Sequence, residues 1–263
     1  MKQRLDVFLT ENNFAETRSR AQGIIMAGEV YINDQKADKA GMQITGEECI
    51  EVRSKSQKYV SRGGLKLAKA LEVFGVNLTG LTCMDIGAST GGFTDCMLQN
   101  GAARVFAVDV GYGQLAWKLR NDARVVNLER TNIRNVTFGQ IGESVDFITV
   151  DVSFISLELV LPVAYELMKE NASAVCLIKP QFEAGRELVG KRGVVRDKKV
   201  HKDVINEVIL FTKAQKFGIM GLDFSPVKGP EGNIEYLLYV KKNAESIDNI
   251  DVDGVVDASH ELL

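Results

Sequence analysis

The chain has 263 residues, 45% of them hydrophobic and 25% charged, with a formal net charge of −3, 24 Gly and 4 Pro. This is globular composition, which excludes wholesale disorder, collagen-like repeats and a membrane bundle, and the length accommodates one large domain or two smaller ones. The acidity is uneven: residues 244–263 hold Glu245, Asp248, Asp251, Asp253, Asp257 and Glu261 without a Lys or Arg, which leaves the first 243 residues with 29 acidic against 32 basic side chains.

Residues 1 to about 52 read as a small α+β module. Leu5, Phe8 and Leu9 share a helical face, a second helix runs from Arg18 through Met26, and Gly28 stops it. Val30–Ile32 reads as a strand before the polar turn Asn33-Asp34-Gln35-Lys36, with further short strands at Ile44 and Ile50–Val52. The polar, basic run 53–58 is the expected linker. An amphipathic helix then covers 65–74, followed by short apolar runs at 83–86, 105–108, 124–128, 145–150 and 174–178 that alternate with helical segments at 92–99, 113–120 and 157–169. That alternation predicts an α/β fold with a Rossmann-like, mostly parallel sheet. Runs near 218–226 and 234–240, separated by Lys228-Gly229-Pro230-Glu231-Gly232-Asn233, predict a closing antiparallel hairpin. The expected division is therefore 1–58, 59–243 and an acidic disordered tail at 244–263.

Cys49, Cys83, Cys96 and Cys176 form no C-x-x-C pair, and His201 and His260 are the only histidines. No metal site and no disulfide framework is expected, and the thiols read as buried and free in a reducing cytosol. No apolar stretch approaches the roughly 20 residues needed to cross a bilayer, and the first residues have no apolar leader, so the expectation is a cytoplasmic protein without membrane insertion.

Strand one ends in Asp85-Ile86-Gly87-Ala88-Ser89-Thr90-Gly91-Gly92-Phe93-Thr94. Glycines let the main chain adopt positive φ and approach a ligand, at the sheet edge where open α/β folds bind them. The spacing is neither a P-loop nor G-x-G-x-x-G. About twenty residues on, strand two ends at Asp109, where a carboxylate can accept from both ribose hydroxyls of an adenosine. Each half alone has a plainer reading, as an ordinary strand-to-helix turn and a helix cap. Together, Asp85, Gly87, Ser89, Thr90, Gly91, Gly92, Phe93 and Asp109 point to a nucleoside ligand, and S-adenosylmethionine fits better than NAD because no phosphate cradle is present. Asn132 and Asp151, on later strand ends, would complete the adenine and methionine ends.

Lys179 ends the apolar run 174–178, where stability does not call for a lysine. Desolvation and a neighbouring sulfonium would both favour its neutral, basic form. Emergence into solvent is the plainer alternative, but Lys66 on the preceding helix and Glu235 at the start of the last strand alter the odds. A basic, glycine-containing stretch follows strand five, with Arg186, Lys191, Arg192, Arg196, Lys198 and Lys199, and reads as a substrate-gripping loop. Phe154, Phe182 and Trp117 are stacking candidates, although Trp117 on a helix is more often core.

The runs YVSRGGLK (59–66), DIGASTGGFT (85–94), DVGYGQLAW (109–117), ERTNIR (129–134), DVSFISL (151–157), IKPQFE (178–183) and GPEGNIEY (229–236) resemble the TlyA family, historically labelled haemolysin A. That resemblance implies an FtsJ-like, S-adenosylmethionine-dependent methyltransferase acting on a ribose 2′-hydroxyl of ribosomal RNA, with cytidine as the target. It implies a catalytic set of Lys66, Asp151, Lys179 and Glu235, with Lys179 as base. The N-terminal stretch resembles an S4-type RNA-binding domain, in which Arg4, Arg18 and Arg20, with Arg62, Arg186, Lys191, Arg192 and Arg196 beyond it, would contact ribosomal RNA or a ribosomal subunit. The alternatives are a membrane-active haemolysin and a non-catalytic RNA-binding assembly factor.

Overall fold

The computed structural model describes residues 3–12, 14, 15, 17–33, 35–45, 48, 50–52 and 58–263, the side chains of Lys191 and Pro230 excepted. The linker residues 53–57, Cys49, Asp34 and the side chain of Lys191 thus lie outside the described residues. The chain divides into two compact units, residues 1–58 and 59–263.

The first unit follows the expected pattern. Helices Leu5–Glu11 and Arg18–Met26 bury Leu5, Leu9, Ala21, Ile24 and Ile25 against Val30 and Ile44. Thr17 caps the second helix, its hydroxyl accepting from the Arg20 amide. Strand Val30–Ile32 pairs antiparallel with both Gln35–Lys36 and Ile50–Val52. Beneath these elements the carboxylate of Asp6 is fully buried, receiving both Arg4 nitrogens, Arg18 Nε and Gln22 Nε2, each at 2.9 Å.

In the second unit, helix α1 (Gly63–Val73) precedes strand β1 (Thr82–Ile86), α2 (Gly92–Gln99), β2 (Arg104–Val108), β3 (Val125–Leu128) and β4 (Val145–Val150). Then come α3 (Leu161–Leu167), β5 (Met168–Ile178), α4 (Lys198–Ala214), β6 (Phe217–Phe224), β7 (Tyr236–Lys242) and α5 (Val252–Leu262). The strands form one sheet in the order β6-β7-β5-β4-β1-β2-β3. Strands β1 to β5 run parallel, and β7 is inserted antiparallel between β5 and β6. Near-continuous apolar strands such as Ala174–Ile178 are the expected consequence of burial on both faces. The chain order reverses between β1 and β4, which opens a crevice at their carboxyl ends. Antiparallel pairing of β7 with β5 sets Tyr236 opposite Ile178, so the residues just outside the ladder, Glu235 and Lys179, meet at that same edge.

Two segments go beyond or against the sequence reading. Lys198 and Lys199, read as the end of the basic loop, open α4, the longest helix among the described residues, which buries Val204, Ile205, Val208, Ile209 and Thr212 in a stretch the sequence reading left unassigned. The acidic segment expected as a disordered tail carries α5, docked by the buried Val256 and Ser259. Ser259 Oγ lies 3.2 Å from the Tyr236 hydroxyl, which in turn reaches His201 Nδ1 at 2.6 Å, while Lys198 pairs with Asp257 and Lys202 with Asp253 at the surface. Two of the six acids that looked like a solvated tail, Asp253 and Asp257, therefore pair with lysines of α4. Cys83, Cys96 and Cys176 are buried free thiols, as expected, and burial pushes Cys83 and Cys176 up to about 12. Among the described residues no helix is long and apolar enough to cross a membrane, and no cluster of metal-ligating side chains occurs.

Candidate active site

The glycine turn is built by main-chain constraints. Gly87 (φ 87°), Ser89 (φ 47°) and Gly91 (φ 91°) are left-handed, and Gly87 and Ala88 both donate to the Val108 carbonyl. A Cβ on Gly87 would come within 2.4 Å of the Asp151 carbonyl oxygen, so only glycine lets the end of β1 close against the end of β4. Gly92 is equally constrained, its missing Cβ standing 2.2 Å from Ser61 Oγ.

The predicted ligand residues divide into two sets. Gly87, Ser89, Thr90, Asp109 and Asp151 are exposed or half-buried along the crevice. Asp109 accepts from the Ser89 amide at 2.8 Å and the Gly111 amide at 2.6 Å. Asp85, by contrast, is buried, and its oxygens are taken up by the Thr94 amide (2.9 Å), Thr94 Oγ1 (2.7 Å) and Thr149 Oγ1 (3.0 Å). It braces the turn from below. Burial raises its pKa to about 6 against the opposing effect of those hydrogen bonds. Gly91, Gly92 and Phe93 are likewise buried, with the Phe93 ring in the core under the turn. Asn132 caps a short 3₁₀ turn, its Oδ1 accepting from the Arg134 amide at 3.1 Å, and the adjacent Thr131 amide ties that turn to the Asp109 carbonyl.

Lys66, Asp151, Lys179 and Glu235 come together although 169 residues separate the first from the last. Lys66 Nζ lies 2.5 Å from Glu235 Oε2 and 3.7 Å from Asp151 Oδ2, and Lys179 Nζ lies 2.5 Å from Asp151 Oδ1 and donates to Ser153 Oγ at 3.2 Å. The four charges form an alternating row, Lys179, Asp151, Lys66, Glu235. Burial pulls the Lys66 ammonium down, but the two carboxylates more than offset it, so Lys66 holds its proton more firmly than an ordinary lysine. The row is under-satisfied at its Glu235 end: Glu235 Oε1 is buried with no hydrogen-bond partner, whereas Asp151 Oδ1 has the Lys179 ammonium 2.5 Å away as its ion-pair partner. Gly229 backs the last carboxylate, since a Cβ there would stand 2.2 Å from Glu235 Oε1.

Beside Lys179, Phe154 is left-handed (φ 64°) and 90% exposed, its ring 4.9 Å from that of Phe182. Glu183 accepts from the Leu157 amide at 2.9 Å and so clips the two loops together. Trp117 is 76% exposed and is not core. The predicted RNA contacts Arg4, Arg18, Arg20, Arg62, Arg186, Arg192 and Arg196 are all exposed, and of these Arg4 and Arg18 are also paired with Asp6. Ser153, Glu183 and Asn233 were not singled out from sequence, although each lies inside or beside a quoted motif.

Sheet order, antiparallel closing strand and a glycine turn at the switch point define a Rossmann-like methyltransferase fold. The solved S-adenosylmethionine dependent methyltransferase of Mesorhizobium loti shares it at 13% identity and TM-score 0.51, covering 69% of this chain and 100% of that one. Residues 59–242 match the FtsJ-like methyltransferase family and residues 3–50 match the S4 domain. The 16S/23S rRNA (cytidine-2′-O)-methyltransferase TlyA of Mycobacterium tuberculosis is 42% identical over 263 residues, with 99% of this chain and 97% of that protein covered. A solved Streptococcus thermophilus protein is 42% identical with TM-score 0.77, covering 99% and 96%. The chain belongs to the TlyA family of FtsJ-like methyltransferases.

Proposed function

We propose that this protein transfers a methyl group from S-adenosylmethionine to a ribose 2′-hydroxyl of ribosomal RNA, with cytidine as the target nucleoside, in the bacterial cytoplasm. The observation that carries this reading is the alternating row of two lysines and two carboxylates at the mouth of the β1/β4 crevice. The crevice fits the methyl donor. It offers a half-buried carboxylate at Asp109, the main chain of a left-handed glycine turn, and the exposed apolar side chains Val110 and Tyr112 beyond it. When bound, the donor supplies an electrophilic methyl carbon.

The protein's part is proton handling and positioning. Lys66 is held charged by Asp151 and Glu235, so it keeps its proton and orients groups around it. Lys179 would receive the 2′-hydroxyl proton at Nζ, leaving the ribose oxygen free to take the methyl group the donor supplies. Asp151 steadies the ammonium so formed, and Ser153 fixes the Lys179 rotamer. Phe154, exposed and set in a left-handed conformation beside Phe182, offers a stacking face for a base turned out of its helix. Arg20, Arg62, Arg186, Arg192 and Arg196 supply phosphate contacts whose strength falls with salt.

The test is transfer from labelled S-adenosylmethionine to purified ribosomal subunits, with the modified nucleoside identified by mass spectrometry. A 2′-O-methylcytidine is expected from the wild type. It should be absent with Lys179→Ala, which should retain donor binding. Base methylation, or full transfer by Lys179→Ala, would overturn the assignment.

A further inference from the structure

The loop that carries Arg192 and Arg196 is not free-standing. Arg192 (φ 65°) and Gly193 (φ 71°) are consecutive left-handed residues, and an arginine in that conformation persists only where its surroundings over-determine it. The loop bonds to itself through Gly190 N–H to the Val194 carbonyl (3.1 Å) and walls a cavity of about 390 Å³ shared with Leu188 and Asp197. Two side chains hold it from outside: His201 Nε2 of α4 lies 3.1 Å from the Val195 carbonyl, and Asn233 bonds to the residues on either side of Val194. Asn233 is 3% exposed, its Nδ2 donates to the Gly193 carbonyl at 2.9 Å, and its Oδ1 accepts from the Val195 amide at 3.2 Å. The Asn233 carbonyl also accepts from the Gly229 amide at 2.9 Å, closing the turn that backs Glu235 Oε1. Glu235 itself is two residues further along.

We infer that Asn233 is a positioning residue that registers the arginine loop, and the RNA held by it, against the Lys-Asp-Lys-Glu row. The inference rests on the RNA reading above and extends it to a residue that touches neither donor nor reacting ribose. The side-chain type follows from the geometry. A planar amide presents a donor and an acceptor together, which the adjacent Gly193 carbonyl and Val195 amide require, whereas a carboxylate would face the Gly193 carbonyl with a charge and no proton. If the arginines grip RNA while Asn233 sets where they do so, removing the two kinds of residue damages different constants. A misplaced reacting group costs turnover even when binding survives.

The experiment compares full-length wild type with Asn233→Ala, Asn233→Asp and Arg192→Ala. It measures hydrogen exchange of the 190–196 and 236–242 segments, S-adenosylmethionine affinity, and KM and kcat on ribosomal subunits. For both Asn233 variants the expected result is exchange at 190–196 accelerated about tenfold or more, with 236–242 and donor affinity unchanged, and kcat lowered roughly tenfold with KM within about threefold. Arg192→Ala should show the reverse split, with KM raised and kcat nearly preserved. A loosened loop with unchanged kcat would overturn the inference, as would loss of donor affinity and of protection in 236–242, which would mark a general structural role. If the wild type leaves ribosomal RNA unmethylated, the activity reading fails. The latch is still judged in the same samples, being refuted if exchange at 190–196 does not change in Asn233→Ala.

Discussion

Two buried carboxylate clusters, one in each unit, use similar charges to opposite ends. In the first unit Asp6 is wholly buried and receives four hydrogen bonds, from Arg4 twice, Arg18 and Gln22. The Arg4 hydrogen bonds hold its carboxyl well below the usual carboxylate range, against the opposing effect of burial. In the second unit Asp151 and Glu235 face two lysines through ion pairs, and Glu235 keeps a buried oxygen, Oε1, without a hydrogen-bond partner. Guanidinium is a rigid fork that stays charged and satisfies a carboxylate geometrically, whereas an ammonium is a compact charge that can lose its proton. The saturated cluster is structure. The unsaturated one has places for a proton to arrive and for a charge to be held, which is what a transfer site requires.

The largest effect expected from this contrast is on turnover. Lys179→Ala should lower methyl transfer by about 10²- to 10⁴-fold, the range for loss of a general base, with melting temperature and donor affinity nearly unchanged. Next comes Lys66→Ala, which leaves Glu235 buried without its cation. It should cost stability as well as activity, by about 3–5 kcal/mol in urea unfolding, because the orphaned charge and not merely the lost pair is at issue. A Lys66 variant as stable as the wild type would show that Glu235 is relieved by water or protonation, and that the row is less closed than its distances imply.

Much of this site was legible in the sequence because its residues sit at strand ends. Asp109, Asp151 and Lys179 are polar side chains that terminate apolar runs, and Gly87 and Gly91 mark turns that demand positive φ. Which way a side chain faces was not legible. Asp85 and Phe93 lie inside the same motif as Ser89, yet packing turns them inward as brace and core. Asn233 was read only as part of a polar turn, since its partners lie 38 and 40 residues away in a loop with no regular period. The disordered-tail reading had a different cause. The acids were counted as net charge, while Val252, Val255, Val256 and Ser259, at the i, i+3, i+4, i+7 spacing of a docked helix, were passed over.

A third carboxylate sharpens the contrast, because Asp85 is buried with hydroxyl and amide donors but no cation beside it. Burial raises its pKa to about 6 in the folded protein, against an ordinary value of 3.8. Its stabilising contribution is therefore present below about pH 4 and is lost as pH rises through 6, a change of at most about 3 kcal/mol. Unfolding free energies of wild type and Asp85→Asn, measured from pH 4 to 6.5, should differ by an amount that moves against the wild type as pH rises. A difference independent of pH would mean that Asp85 is as readily ionised in the fold as out of it.

The smallest effect belongs to the saturated cluster, where it is also the most discriminating. Arg18 is about half exposed, and when it is removed Asp6 still keeps Arg4 and Gln22. Arg18→Ala should therefore cost about 1 kcal/mol, far less than Lys66→Ala. The pH dependence has the opposite sign to that of Asp85. The folded carboxyl of Asp6 lies below its ordinary value of 3.8, so its contribution is present above about pH 4 and disappears as the solution is acidified. Unfolding of the first unit in full-length protein, followed by exchange of its own amides between pH 3 and 7, should show acid sensitivity that Asp6→Asn removes. If Arg18→Ala instead destabilised that unit as severely as Lys66→Ala does the other, saturation would not be what separates the two clusters. The distinction would then rest on guanidinium against ammonium alone.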